Sequence, residues 1–146
     1  MNEESFQVGI KALIMDESNQ VLVMFSTSIG RNRHPPHWDI PGGRIEKNHS
    51  IEETLRKEIK EELGIDNIDV IEQLDAGLSK ISINVDGVDT RLLFIIYKCK
   101  LPTDYKIILS DEHRKYKWVS ISEATELLRF KFADSLIEKM SQLETS

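Results

Sequence analysis

Position 99 holds the only cysteine in the 146 residues. This excludes an intrachain disulfide and a metal site built on thiolates. No apolar run reaches the length needed to cross a bilayer. There is no internal repeat, no low-complexity tract and no linker rich in Pro, Gly or Ser, so one continuous domain over residues 1–146 is expected. Basic charge is also short. Nineteen Lys and Arg stand against 25 Asp and Glu, a formal net charge of −6. With no basic, aromatic-interleaved strand either, a nucleic-acid-binding role is disfavoured. The net field repels polyanions as well. A phosphate-bearing ligand therefore needs a local offset, for which a divalent cation and a few placed Arg or Lys residues are the candidates. Met1 to Ser5 is acidic and polar, unlike a secretory signal, and a cytoplasmic location is the default expectation.

What is present reads as alternating strands and helices. Phe6 to Met15 and Val21 to Phe25 form two strands around the turn residues Asp16 to Asn19. Ile29 to Pro36 is a polar loop. Trp38 to Ile40 is a short strand stopped by Pro41-Gly42-Gly43. The next helix runs from about Ser50 to Leu63, with Ser50 as N-cap, Glu53 completing a capping box, and Gly64 as the stop. Residues 67–74 and 77–85 read as two extended runs. Asp86-Gly87 turns the chain into a buried strand from Asp89 to Cys99, in which Cys99 is a structural thiol. Tyr116 to Val119 is a further strand. Ser122 caps a short helix through Leu128, and Phe132 to Leu143 has helical spacing. The order predicts an α+β sandwich with a mixed sheet.

The first helix carries an unusual acidic stripe. On a wheel of ~100° per residue, with Glu58 at the origin, Glu62 lies near ~40° and Glu61 near ~300°. The apolar residues Ile51, Leu55, Ile59 and Leu63 span ~20° to ~140°. Glu62 thus falls inside the apolar arc and Glu58 on its edge. Glu52 also points into the arc, but in the first turn, where the helix dipole favours acid. Glu62 lies in the last turn, where acid is disfavoured, and the like-charge pairs 58/62 and 58/61 each cost a few tenths of a kcal/mol. A solvated face balanced by Lys57 and Lys60 is the plain alternative. Carboxylates leaning toward the core account better for the pattern, as a seat for a hard cation such as Mg²⁺.

Trp38-Asp39-Ile40-Pro41-Gly42-Gly43 precedes this helix, and its glycines permit close approach of a ligand to the main chain. Residues 43–65 resemble the Nudix box, Gly-x5-Glu-x7-Arg-Glu-apolar-x-Glu-Glu-x-Gly-apolar. Gly43, Glu58, Ile59, Glu61, Glu62, Gly64 and Ile65 match, and Trp38 to Gly42 and Glu46 are similar to the family as well. The signature's first Glu is His49 here, its Arg is Lys57, and a loop Gly is Asn48. In the family the Arg orients the helix carboxylates. Lys57 keeps the charge without the planar fork, and a Lys opposite a neutral His49 avoids a bare charge.

The resemblance implies a Nudix-type α/β/α sandwich and a metal-dependent hydrolase that cleaves a phosphoanhydride bond in a nucleoside di- or triphosphate derivative. Glu58, Glu61 and Glu62, with the Gly42 carbonyl, would bind Mg²⁺ or Mn²⁺. The general base is Glu61, Glu58 or a distant loop acid, for which Glu112 is the candidate; its plain reading is an exposed loop acid. Lys57 completes the catalytic set. Arg31, Arg33, His34 and His37 form a basic cluster suited to phosphates, or else a loop with scattered charge. Substrate contacts are expected at Arg31, Arg33, Trp38 and Gly43, with Trp38 stacking on a base or serving as a wall. Ser79-Lys80-Ile81 and Ser82-Ile83 lack the proline and tyrosine marks of the ADP-ribose and diadenosine polyphosphate subgroups, which tilts the expectation toward nucleoside triphosphates. No nucleic acid or membrane partner is expected. A homodimer is compatible with the resemblance, although no residue specifies an interface. The alternative reading, motivated by His49 and Lys57, is a catalytically weakened module that binds a nucleotide or a protein partner.

Overall fold

The computed structural model describes residues 2–26, 35–102, 104–109 and 113–143. Within them, strand β1 (Gln7–Met15) is buried on both faces over most of its length, as a central strand should be. It runs parallel to β6 (Val88–Lys100) and antiparallel to β2 (Val21–Ser26) and β4 (Gly42–Arg44). β5 (Asp69–Val85) pairs antiparallel with β6. β3 (His37–Asp39) and β7 (His113–Val119) both pair with β2. The described residues thus form one mixed sheet of seven strands with three helices, α1 (Ile51–Leu63), α2 (Ile121–Leu128) and α3 (Asp134–Leu143).

The period-two alternation of strand side chains sorts the core into two layers. Ile10, Ala12 and Ile14 pack with Leu22, Met24 and Cys99 against Leu55, Ile59 and Leu63 of α1. Leu13, Met15, Val21, Val23, Phe94 and Ile96 face Ala124, Leu128, Leu136, Ile137 and Met140 of α2 and α3, and Phe132 joins them from the loop between those helices. The result is an α/β/α sandwich of α+β class, in agreement with the expected fold. Burial pushes the Cys99 thiol up to about 12, which fits an inert structural role. Among the described residues no helix is long and apolar enough to cross a membrane.

Three local expectations need correction. Pro41-Gly42-Gly43 does not simply stop a strand: Gly42–Arg44 is itself strand β4, in register with Gly9–Lys11. The two runs 67–74 and 77–85 are one strand, whose register irregularities against β6 absorb the breaks in apolar pattern. Helix α2 is capped by Ser120, not Ser122. The Ser120 hydroxyl accepts from the Glu123 N–H at 3.1 Å, and Ile121 is already buried as the first helical residue. At α1 the reading holds. Ser50 accepts from the Glu53 N–H at 3.1 Å, and Gly64 ends the helix in the left-handed conformation.

Phe132 is fully buried, and its ring centroid lies 5.1 Å from that of Phe94. It therefore anchors the loop between α2 and α3 to the sheet. Phe132→Ala is expected to cost about 3–5 kcal/mol of unfolding free energy, read as a lower urea midpoint at unchanged slope.

Candidate active site

Helix α1 ends over strand β4, and this crossing brings the acidic residues together. Glu62 is 7% exposed, and its Oε1 lies 3.3 Å from the Gly42 N–H, which donates to it. Gly42 has φ of 150°, and a Cβ there would strike the Ile10 carbonyl and stand 2.7 Å from Lys11 Cδ. At Gly43 a Cβ would collide with the Glu58 carboxyl carbon and stand 2.6 Å from its Oε1. The two glycines are therefore required by contact: they let main chain lie directly against carboxylates.

Burial raises the Glu62 pKa to about 8, outweighing the charge of Lys11 and the Gly42 N–H, which pull it down. Glu58 is also raised, first by partial burial and then by the charge of Glu61, against a hydrogen bond with Glu62 and the charges of Lys57 and Lys11. That bond needs a proton on one partner, and Glu62 carries it at neutral pH. Glu61 stays 55% exposed, with an oxygen 3.9 Å from Lys57 Nζ. Two of the three expected carboxylates thus meet directly, while the third turns to solvent. Among the described residues no group of three His, Cys, Asp or Glu side chains is gathered closely enough to hold an ion as it stands. Glu52, placed by the wheel in the apolar arc, is exposed and pairs with Arg56 at 3.0 Å.

All three glutamates line one cleft of about 540 Å³ with Asp39, Gly42, Gly43, Arg44 and Glu46. Its donors fit a divalent cation. The walls are oxygen-rich, and the pKa values of Glu58 and Glu62 are both raised despite the nearby charge of Lys11, so further positive charge would be welcome there. Mg²⁺ needs only one or two carboxylates when waters and phosphates complete its shell. At Gly42 the contact with Glu62 is made by the N–H; the carbonyl was the expected ligand. Lys57 does not face a neutral His49. Its Nζ lies 3.2 Å from Glu46 Oε1, whose partner oxygen is 3.9 Å from His49 Nδ1. Hydrogen bonding to Glu46 leads the rise in the Lys57 pKa.

Other expected residues lie elsewhere. Arg31, Arg33, His34 and Glu112 fall outside the described residues. His37 is buried, with Nδ1 2.9 Å from the Pro35 carbonyl and its ring 5.4 Å from Phe130. Trp38 packs edge-on against Phe25 at 5.2 Å, with Lys115 and Lys117 ammonium groups over its ring, and it does not line the cleft.

Sequence reading missed a charged cluster behind the cleft. Lys11 Nζ lies 3.2 Å and Lys131 Nζ 2.6 Å from Asp39 Oδ2, all three side chains being 12% exposed or less. Burial pushes the Asp39 carboxyl up, but Lys11 and Lys131 together hold it well below the usual range. Burial, helped by the charge of Lys11, lowers the Lys131 pKa against the opposing pull of Asp39. The available signal was Lys11 itself, a charge at a core-facing phase of an otherwise apolar strand.

The NUDIX domain family model matches residues 5–140. The chain belongs to the NUDIX family. It is 29% identical over 110 residues to the asymmetrical bis(5'-nucleosyl)-tetraphosphatase of Sus scrofa, covering 73% of this chain and 71% of that protein. It is 32% identical over 97 residues to nucleoside triphosphatase NudI of Salmonella paratyphi B, covering 64% and 68%. In fold it is similar to the MutT protein from Methanosarcina mazei, with a TM-score of 0.73, 20% identity and coverage of 99% and 97%. The family's relatives of this chain thus include nucleoside polyphosphate hydrolases.

Two outcomes follow from the geometry. In metal-free protein the raised Glu62 pKa favours folding below the unfolded value of 4.5, and that stability drains away as pH climbs through about 8. The melting temperature in EDTA should fall between pH 5 and 8.5, and Mg²⁺ added at pH 7 should release protons, read from the buffer dependence of its calorimetric heat. Gly43→Ala should retain the fold but displace Glu58, weakening Mg²⁺ binding about 10- to 100-fold in the same titration.

Proposed function

We propose that this NUDIX chain, as one domain over residues 1–146, is a metal-dependent pyrophosphohydrolase. It cleaves a phosphoanhydride bond in a nucleoside di- or triphosphate derivative. The observation that carries this reading is the buried Glu62 carboxyl under Gly42, hydrogen-bonded to Glu58 in an acid-lined cleft. The nucleoside polyphosphates named for the relatives support the substrate class. The setting proposed is the cytoplasm.

Glu58, Glu61 and Glu62, with the Gly42 carbonyl, would hold Mg²⁺ or Mn²⁺. When bound, the ion supplies screening of the diphosphate and a bound water acidic enough to become a nucleophile near neutral pH. The chain's own residues do the rest. Glu62 and Gly42 fix the end of α1 against β4, so the carboxylates keep their spacing. Glu61, exposed at the cleft rim, or Glu58, half-buried behind it, accepts the proton of the attacking water. Lys57, tied to Glu46 and close to Glu61, restrains that rim. Gly43 leaves room for the Glu58 carboxyl to lie against the main chain. The pairing of Lys57 with Glu46 favours an active site over a decayed one, because the orienting cation still has an acidic partner.

The test is turnover of a nucleotide panel with Mg²⁺ or Mn²⁺, read as phosphate or pyrophosphate release. Glu62→Gln should lose about 10²–10³ in kcat/KM at unchanged circular dichroism. A wild-type protein inert toward every nucleotide, with either metal and up to alkaline pH, would contradict the proposal.

A further inference from the structure

The carboxylate cleft has a second chamber that its chemistry does not use. Lys11, Gly43 and Arg44 belong to both spaces, and beyond them a smaller, open cavity of about 200 Å³ is lined by Ile83, Leu92, Phe94 and Lys131. Its polar groups are of one kind. Asp39 Oδ2 is taken by both lysines, and Oδ1 accepts from the Ile40 N–H at 2.8 Å. Lys11 also donates to the Ile40 carbonyl at 3.1 Å. Among the described residues Lys131 Nζ donates to Asp39 Oδ2 at 2.6 Å, which leaves two of its three N–H groups for the cavity. Both ammonium groups lie beside the Phe94 ring, at 5.6 and 5.5 Å from its centroid, so that face is not open to a stacked base.

The charge count points the same way. Two buried cations share one buried carboxylate, leaving one positive charge over in a chain whose net charge is −6. Surplus buried charge is costly unless an opposite charge meets it. The loop that carries Lys131 is fixed, since its carbonyl accepts from the Lys80 N–H at 2.8 Å and Phe132 is locked in the core. The donors are therefore preorganised.

We propose that Lys131 and Lys11 form an oxyanion subsite that holds a phosphate group directly, without a metal, across β4 from the glutamates. Its natural occupant rests on the hydrolase reading: a phosphate of the nucleotide remote from the bond that is cut. Released inorganic phosphate is the other source of the same chemistry. The subsite gives this acidic chain the local positive charge that a polyanion needs.

The experiment uses ¹⁵N-labelled full-length protein in EDTA, titrated separately with a nucleoside triphosphate, orthophosphate and adenosine. Both phosphate ligands should give saturable amide shifts around Lys11, Asp39 and Lys131, and adenosine should give none there. Lys131→Met should weaken binding about tenfold or more, Lys131→Arg should retain it, and Glu61→Gln should leave it unchanged. Tighter binding of the triphosphate than of orthophosphate assigns the subsite to substrate; equal binding assigns it to released phosphate. Absent shifts, shifts centred on residues 58–62, the same shifts with adenosine, or binding undiminished in Lys131→Met would overturn the proposal. If Lys131→Met does not fold, the wild-type shift map and Lys131→Arg decide. Turnover with Mg²⁺ is read separately. Active protein without metal-free phosphate binding sinks this subsite alone, and inert protein that still binds phosphate sinks the hydrolase reading alone.

Discussion

A carboxyl group buried beneath a glycine backbone, Glu62 against the N–H of Gly42, sets the terms for everything around it. It sits where β4 can carry no side chain, because a Cβ at Gly42 would strike Ile10 and Lys11 of β1 and one at Gly43 would strike the Glu58 carboxyl. It places an acid in the last turn of a helix, where the dipole opposes it. Its hydrogen bond to Glu58 partly offsets the rise in the Glu58 pKa that burial and the charge of Glu61 produce. A protein selected only for stability would fill this position with leucine, since the neighbours Leu55, Ile59 and Leu63 are all apolar and fully packed. The cost is tolerable if the cleft meets a cation, because metal and proton compete for the same oxygens.

Behind this acidic wall the balance is reversed. Lys11 touches both sides: it pulls down the Glu62 pKa and shares Asp39 with Lys131. The Gly42–Arg44 strand is a partition between a cleft rich in carboxylates and a cavity rich in ammonium groups. A linear polyphosphate has negative charge along its length, and metal ions at one end leave the rest unscreened. Placing fixed cations one strand away allows each portion to meet opposite charge without a basic surface overall. The same arrangement sets local positive charge beside the acidic cleft of a chain whose net charge is −6.

The helix-borne part of this site was legible because a helix has a strict period. The wheel placed Glu62 among apolar residues, and it is buried there; it placed Glu58 on the edge, and it is half-buried. Ser50 and Gly64 marked the ends of α1 by their capping chemistry alone. Strand neighbours carry no comparable local signal. That β4 pairs with Gly9–Lys11 depends on contacts more than thirty residues apart in sequence. The Asp39–Lys131 contact spans 92 positions, and neither residue type reveals its partner. At α2 the expected cap is Ser122, although Ser120 has Glu123 at the capping-box spacing, and the burial of Ile121 places the helix start before Ser122. One lysine out of place in an apolar strand, Lys11, was the local trace of the buried charged cluster.

The departures from the box signature acquire a physical sense from Glu46. An arginine presents a planar fork and is best met by a carboxylate held in its plane; a lysine is a compact charge and needs one oxygen. With Lys57 in place of the arginine, a carboxylate arriving from a different loop position can serve, and Glu46 Oε1 does so at 3.2 Å. Position 49 is then released from pairing, and His49 sits at the looser distance of 3.9 Å from the same carboxylate. Exposed pairs of this kind contribute little to stability. Their effect lies in orientation: Lys57 stands between Glu46 and Glu61, the most exposed of the three helix acids, at the cleft rim. The two substitutions read together as one change of partner, with the charge pattern at the rim kept.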